Sequence, residues 1–386
     1  MNGSRLAAFV MSFLAVMTGT SFWLMTREMR HRQPAYERDA KTTASLSNLV
    51  ESNKTSCLSC HEEIVAAHQR SPHAKTLRRS DTKAISSFLN AKQESSLCGL
   101  LQVENDRLVI TDQDGFRPVP VSWIFGSGEH AQTPVSTWLD PEGRTVMLEH
   151  ALSWYPPGLI SSTLGLSDDL QPLDNHLCGK LLTPEATRGC FGCHVTELPQ
   201  RDGLVYEEEI LTGVGCVRCH EGSLLHAQAM NAGDRSSPEL SWRTLSPLDS
   251  IRRCGECHRR DDQFQPVELH PENKLLVRFA PVGLSQSVCF TSQEAIRFDC
   301  MSCHDPHSQA SPEPTFYRDQ CLSCHTASAD KSPCPQATRT SACTECHMPK
   351  VDVNPHLRFT DHWIRKPSPL SNGSKSNTPT AARHQE

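Results

Sequence analysis

Seven times between Cys57 and His347 the chain repeats the pattern Cys-x-x-Cys-His, and no other feature restricts the fold as much. The copies are Cys57, Cys60, His61; Cys190, Cys193, His194; Cys216, Cys219, His220; Cys254, Cys257, His258; Cys300, Cys303, His304; Cys321, Cys324, His325; and Cys343, Cys346, His347. The spacing sets two thiols on one helical turn with an imidazole directly after them. That arrangement can form two thioethers with the vinyl groups of a haem and supply one axial ligand to its iron. Paired Cys-x-x-Cys units also build zinc ribbons, and a single one can be a redox motif. Neither explains a histidine after every second cysteine. The expected cofactor is therefore seven covalently bound c-type haems, with the seven motif histidines as proximal iron ligands.

A haem-filled interior also accounts for the composition. Apolar residues make up 37% of the chain, below the roughly 45 to 50% usual for globular domains, so part of the core has to come from elsewhere. The expectation is a mainly α protein with much irregular structure, short helices carrying the motifs around packed haems. Between His61 and Cys190 the pattern changes. Leu108, Val109 and Ile110 lead through Asp114 and Gly115 to Val119, Val121, Trp123 and Phe125, alternating runs around a turn dipeptide. Val135 to Leu139 and Thr145 to Trp154 flank Asp140, Pro141, Glu142 and Gly143, another turn signal. A small β-rich insert is expected at about residues 100–160.

Each iron has a second axial position. Only Met147, Met230, Met301 and Met348 lie beyond the amino-terminal segment, too few for seven haems, whereas histidine is plentiful. Setting aside the proximal seven, His31 and His384 leaves His68, His73, His130, His150, His176, His226, His270, His307, His356 and His362. Of these, His73, His130, His176, His226, His307, His356 and His362 are the candidate distal ligands, and bis-histidine ligation is the economical reading. His307 follows His304 too closely to wrap round the same haem and should ligate a neighbour. The same reasoning applies to His226 after His220 and to His73 after His61. His130, after Gly126, Ser127 and Gly128, sits on a loop from which it could reach over a haem.

Four cysteines lie outside the motifs: Cys98, Cys178, Cys289 and Cys334. An even number in an oxidising compartment suggests two disulfides. Pairing Cys98 with Cys178 and Cys289 with Cys334 keeps each bridge within one half of the chain, and a reactive free thiol is the alternative. The apolar run 6–25 reads as a signal anchor or a cleaved signal peptide, within a segment 1–30 followed by a linker 31–50. Arg27, Arg30 and Arg32 outnumber Arg5 and on their own would keep the body inside; the far-side chemistry of haem attachment overrides that. The haem domain is expected over 51–365. The remainder, 366–386, is too poor in apolar residues to fold. The location follows: the periplasmic side of the cytoplasmic membrane, held by residues 6–25, or free in the periplasm after cleavage. Net charge is -6, which with haem propionates argues against nucleic acid as a partner.

Several local strings resemble those of a superfamily of multihaem cytochromes that includes the tetrahaem carrier of nitrifying bacteria, hydroxylamine oxidoreductase and pentahaem nitrite reductase. They are Ser71, Pro72, His73, Ala74; Val214, Gly215; Asp305, Pro306, His307; Met348, Pro349, Lys350; and Phe359, Thr360, Asp361, His362. Together they are most similar to environmental multihaem cytochromes often fused to tetratricopeptide repeats, although no such repeat follows here. The resemblance implies that His73 and His307 are distal ligands. It stops short of the enzymes: there is no motif ending in lysine, as at the catalytic haem of pentahaem nitrite reductase. Hydroxylamine oxidoreductase has eight haems and a cross-linked tyrosine. Here Tyr36, Tyr155, Tyr206 and Tyr317 all precede the last motif.

The expected function is electron relay through bis-histidine haems, to or from redox partner proteins or a membrane quinol pool. The alternative is an oxidoreductase acting on a small nitrogen or sulfur compound at one haem with an open distal site. No residue is assigned as catalytic.

Overall fold

The computed structural model describes residues 57–81, 88, 90–95, 97, 99–105, 107–112, 118–166, 179–235, 242–292, 297–325 and 342–367. The apolar run 6–25, the linker 31–50, His176, Cys98, Cys178 and Cys334 lie outside them, as does nearly all of the tail. Among the described residues no helix is long and apolar enough to cross a membrane.

The mainly α expectation is corrected. The chain is an irregular mixture of short helices and many short strands in several small sheets. The largest sheet is antiparallel, with strands in the order Leu77–Arg79, Trp123–Phe125, Thr133–Leu139, Thr145–His150 and Gly179–Leu182. Three-stranded sheets form from Gly99–Glu104, Arg107–Asp112 and Val119–Pro120, and from Lys92–Gln93, Leu159–Ser162 and Leu152–Tyr155. Hairpins outside this region complete the departure. Gln200–Arg201 pairs with Leu204–Val205 across Asp202 and Gly203, both at positive φ, the backbone that a two-residue Asp-Gly hairpin requires. Lys350–Asn354 pairs with Leu357–Thr360 directly after the last motif. Linkers too short for long helices satisfy their backbone groups by local strand pairing instead.

Among the described residues, two apolar clusters form the side-chain core. One gathers Phe88, Leu108, Ile110, Val121, Ile124, Leu152 and Ile160. The other joins Leu77, Trp123, Phe125, Val135 and Met147 of the large sheet to Phe191, Val195, Val205 and Ile210. Phe191 belongs to the helix Pro184–His194 and meets Trp123 and Phe125 edge on. The sheet therefore packs straight onto a cysteine motif.

Three motifs end helices of similar design. In Pro184–His194 the N-cap Thr183 accepts from Ala186 N; in Pro247–His258 the N-cap Ser246 accepts from Asp249 N. Proline stands at the start of each, where its missing N–H costs nothing and its φ suits the helix. Pro314–His325 likewise begins on proline. In all three, the Cys-x-x-Cys-His run forms the last turn. Cys216–Cys219 and Cys343–His347 are barely more than single turns, and Cys300–Ser302 is a 3-10 turn.

Candidate functional site

Three motif histidines each face a histidine from a remote stretch of chain. The ring centres of His258 and His73 lie 6.1 Å apart, those of His220 and His307 6.0 Å, and those of His304 and His362 6.3 Å. Edge-to-face ring contacts span this range too, roughly 4.5 to 7 Å, but the spacing also suits a shared metal. Two imidazoles bound through nitrogen to opposite sides of one metal, at about 2 Å per bond, hold their ring centres about 6 Å apart.

The other ring nitrogen is fixed as such ligation needs. His73 Nδ1 donates to Pro306 O (3.2 Å), His307 Nδ1 to the Asp305 carboxylate (2.9 Å), and His362 Nδ1 to Thr360 O (2.9 Å). Among the other motif histidines, His194 Nδ1 donates to Thr76 O (3.0 Å) and His347 Nδ1 to Arg365 O (2.9 Å). Carbonyl and carboxylate oxygens only accept, so Nδ1 carries a proton in all five, and in the neutral ring Nε2 keeps the lone pair a metal needs. Burial favours the same neutral form: it pushes His258 down to about 4 and also lowers His194, His304 and His362.

Backbone placement accounts for the remote partners. Val214 N donates to His73 O, and Gly213 lies so close that a Cβ there would stand 2.4 Å from Ala74 O. The His73 segment is thus laid against the approach to the third motif. At the other end a Cβ on Gly283 would meet Trp363 N at 2.9 Å, so glycine lets the His362 segment rest on the helix Ala280–Ser285. Asp361, itself buried, accepts from Trp363 N (2.9 Å) and Arg365 Nη1 (2.6 Å) and holds that segment in shape.

The motifs approach one another. Cys193 Sγ of the second motif lies 3.8 Å from Glu256 O of the fourth, and the helices Pro314–His325 and Cys343–His347, which carry the last two motifs, pack together. With haem attached, the motif sulfurs stand for thioethers. Large apolar side chains beside the motifs are exposed, Leu225 at 69% and Phe316 at 41%, and Leu58 and Ile64 by the first motif are exposed as well. Apolar side chains turned outward beside cysteine pairs, with histidine pairs spaced for a metal between them, fit haem. The Cys-x-x-Cys pairs would hold it and the histidines would ligate its iron.

Other sequence candidates have surroundings of their own. His130 rests against the Phe359 ring at 5.0 Å. His226 carries a buried Nδ1 with no hydrogen-bond partner. His356 turns Nε2 to Glu94 (3.1 Å) and packs on Tyr155. His150 is fully buried in the β region, with Nε2 bonded to Ser136 (2.8 Å), and His270 pairs with Glu272 at the surface. Sequence reasoning did not single out Thr76 or Arg365, and Thr360 stood out only as part of a string that resembles known cytochromes. Each contributes a backbone carbonyl, which any residue could provide, so no residue type marks them.

A family model described as "Cytochrome c554 and c-prime" matches residues 174–221, which contain the second and third motifs. With the motifs, it supports a multihaem c-type cytochrome. Covalently bound haem and electron transfer are supported with it. No curated protein matches the sequence. Among solved structures the chain is similar to "Crystal Structure of Outer Cell Wall Cytochrome OcwA", at 13% identity and a TM-score of 0.45, covering 81% of this chain and 78% of that one.

Proposed function

We propose that the chain is an extracytoplasmic heptahaem electron relay whose irons are held between pairs of histidines. The reading is carried by the three histidine pairs at 6.0 to 6.3 Å, in which each partner comes from a different part of the chain. Haem iron supplies a reversible one-electron change between ferric and ferrous states. The protein's part is to keep both axial positions filled, so that little rearranges when the charge changes. Asp305 and the carbonyls of Pro306, Thr360, Thr76 and Arg365 do this by orienting their imidazoles.

The supply of histidines supports ligation at every iron. His150 and His356 have Nε2 committed to Ser136 and Glu94, and His270 lies with Glu272 at the surface. Seven non-motif histidines of the haem domain remain: His68, His73, His130, His176, His226, His307 and His362. In this assignment His68 takes the place that sequence reasoning gave to His356. A periplasmic or cell-wall location and exchange with redox proteins or membrane quinol belong to the same proposal.

The test is electron paramagnetic resonance of the purified, fully haem-loaded chain, with carbon monoxide added after reduction. All-low-spin ferric iron that leaves carbon monoxide unbound is the expected result. A high-spin signal of about one haem in seven, with carbon monoxide bound there, would replace the relay by an oxidoreductase with an open site. His73→Ala, His307→Ala and His362→Ala should each create one high-spin, carbon-monoxide-binding haem. A wild-type spectrum from any of them removes that histidine from the ligand set.

A further inference from the structure

The β region and the last motif are joined by a hairpin with an anchored tip. Lys350–Asn354 leaves the seventh motif just past His347, and after Pro355 and His356 the chain returns as Leu357–Thr360 to Asp361 and His362. A lone two-stranded hairpin is at best marginally stable in water, and this one carries an irregularity between Asp352 and Asn354. Its position therefore depends on what it rests against. His356 Nε2 donates to Glu94 Oε1 (3.1 Å), and the other carboxylate oxygen accepts from Ser161 Oγ (2.6 Å). The His356 ring packs on Tyr155 at 5.6 Å, while Asn354 Nδ2 donates to Tyr155 Oη (3.5 Å), which itself donates to Ser162 O (2.6 Å). Farther along the returning strand, Phe359 meets His130 at 5.0 Å. Tyr155 and Ser161 lie on strands of one three-stranded sheet, and Glu94 is tied to it by its N–H to Ile160 O (3.0 Å).

The far end of the returning strand leads directly to a histidine of the fifth haem site. Thr360, its last residue, provides the carbonyl to which His362 Nδ1 donates, and Asp361 N closes the base of the hairpin on Pro349 O (3.0 Å). Four extended residues span about 13 Å, so a tip held in place fixes the carbonyl at the other end. Asp361, Arg365 and Gly283 support the chain beyond His362; the hairpin supports it from the opposite side. We propose that Glu94 and Tyr155 are positioning residues for the fifth haem: by clamping His356 and Asn354 they hold the hairpin so that Thr360 O keeps His362 opposite His304. This rests on the ligation reading above. The β region then has a task beyond its own fold, since it sets the angle between the two imidazoles of that haem.

The experiment is electron paramagnetic resonance of the full-length, haem-loaded protein in the ferric state, where the low-spin signal of a bis-histidine haem follows the angle between its imidazole planes. The fifth-haem signal is assigned beforehand with His362→Met. Glu94→Ala should shift that signal and leave the others in place, and Glu94→Gln, which still offers His356 an oxygen, should restore it. Tyr155→Phe keeps the buried ring and removes only the hydroxyl, so it should move the same signal by less. Asp140→Ala breaks the ion pair with Arg144 elsewhere in the β region and should move nothing; a shift there as well would mean general loosening and overturn the proposal. Should Glu94→Ala fail to fold, His356→Ala removes the clamp from the hairpin side, leaves the β region intact, and should give the same shift. A wild-type signal from the clamp variants overturns the proposal, and so does a new high-spin haem in His356→Ala, which would make His356 a ligand itself. Failure of the underlying reading looks different: His362→Met would then leave every signal unchanged.

Discussion

The strand Trp123–Phe125 buries all three of its residues, whereas the helices Glu62–Arg70, Ser223–Asn231 and Pro314–His325 bury none. Both regions belong to one chain with one composition, so their cores must differ in kind. In the β region Trp123, Leu152, Ile160 and their neighbours remove apolar surface from water, at roughly 1.5 to 3 kcal/mol for each large side chain. Leu225, in the helix just after the third motif, and Phe316, in the helix that ends in the sixth, point outward, and single turns such as Cys216–Cys219 are far too short to persist alone. The stability of these segments must come from what the adjoining cysteine pairs bind. One region is held by side chains, the other by its cofactor.

Withholding haem is the severest way to break this comparison. Made without haem attachment, the chain should lose amide protection across Ser223–Asn231, Pro314–His325 and Cys343–His347, while Thr133–Leu139 and Thr145–His150 stay protected. Hydrogen exchange reads this segment by segment; equal protection in both regions would show that the motif helices have a core of their own. A smaller effect should follow where the two regions join. Phe191→Ala removes a fully buried ring from between Trp123 and Phe125 and should cost about 3 to 5 kcal/mol in denaturant unfolding. The loss should register in Trp123 fluorescence while the haem content is kept. The smallest effect separates the regions by pH. Burial pushes His150 down to about 3, so its folded value lies below its unfolded one. Its contribution is fully present above about pH 6.5 and is lost as pH falls toward 3, amounting to about 2 kcal/mol between pH 7 and 5. Denaturant melts of the β region over that range should show the loss, and His150→Gln should flatten it.

The same division explains what could be read from the sequence. The β hairpin around Asp140 and Gly143 was legible because apolar alternation and a turn signal agree there, and its strands fall at Thr133–Leu139 and Thr145–His150. Leu77–Arg79 and Gly179–Leu182 were not, since three or four residues at the margins of a sheet carry no period of their own. The mainly helical expectation fails because three motifs form only single turns and the linkers pair into hairpins such as the one at Asp202 and Gly203. The histidine facing His258 was legible only as a candidate: Ser71-Pro72-His73 marks a special histidine but not the motif it meets. That pairing depends on Gly213 allowing a backbone approach between distant segments, and a lone glycine among 20 does not announce it.

The histidine pairs also set a timetable for the chain's synthesis. His73 cannot meet His258 until the chain through residue 258 has been made, His307 closes back onto His220, and the segment holding His362 must return to His304. Every such closure spans a long loop and bears its entropy before any contact repays it. A nascent chain of this kind stays open at its early motifs while later ones emerge. The cysteine pairs beside His220 and His304 would therefore stay open to haem attachment until His307 and His362 have been made.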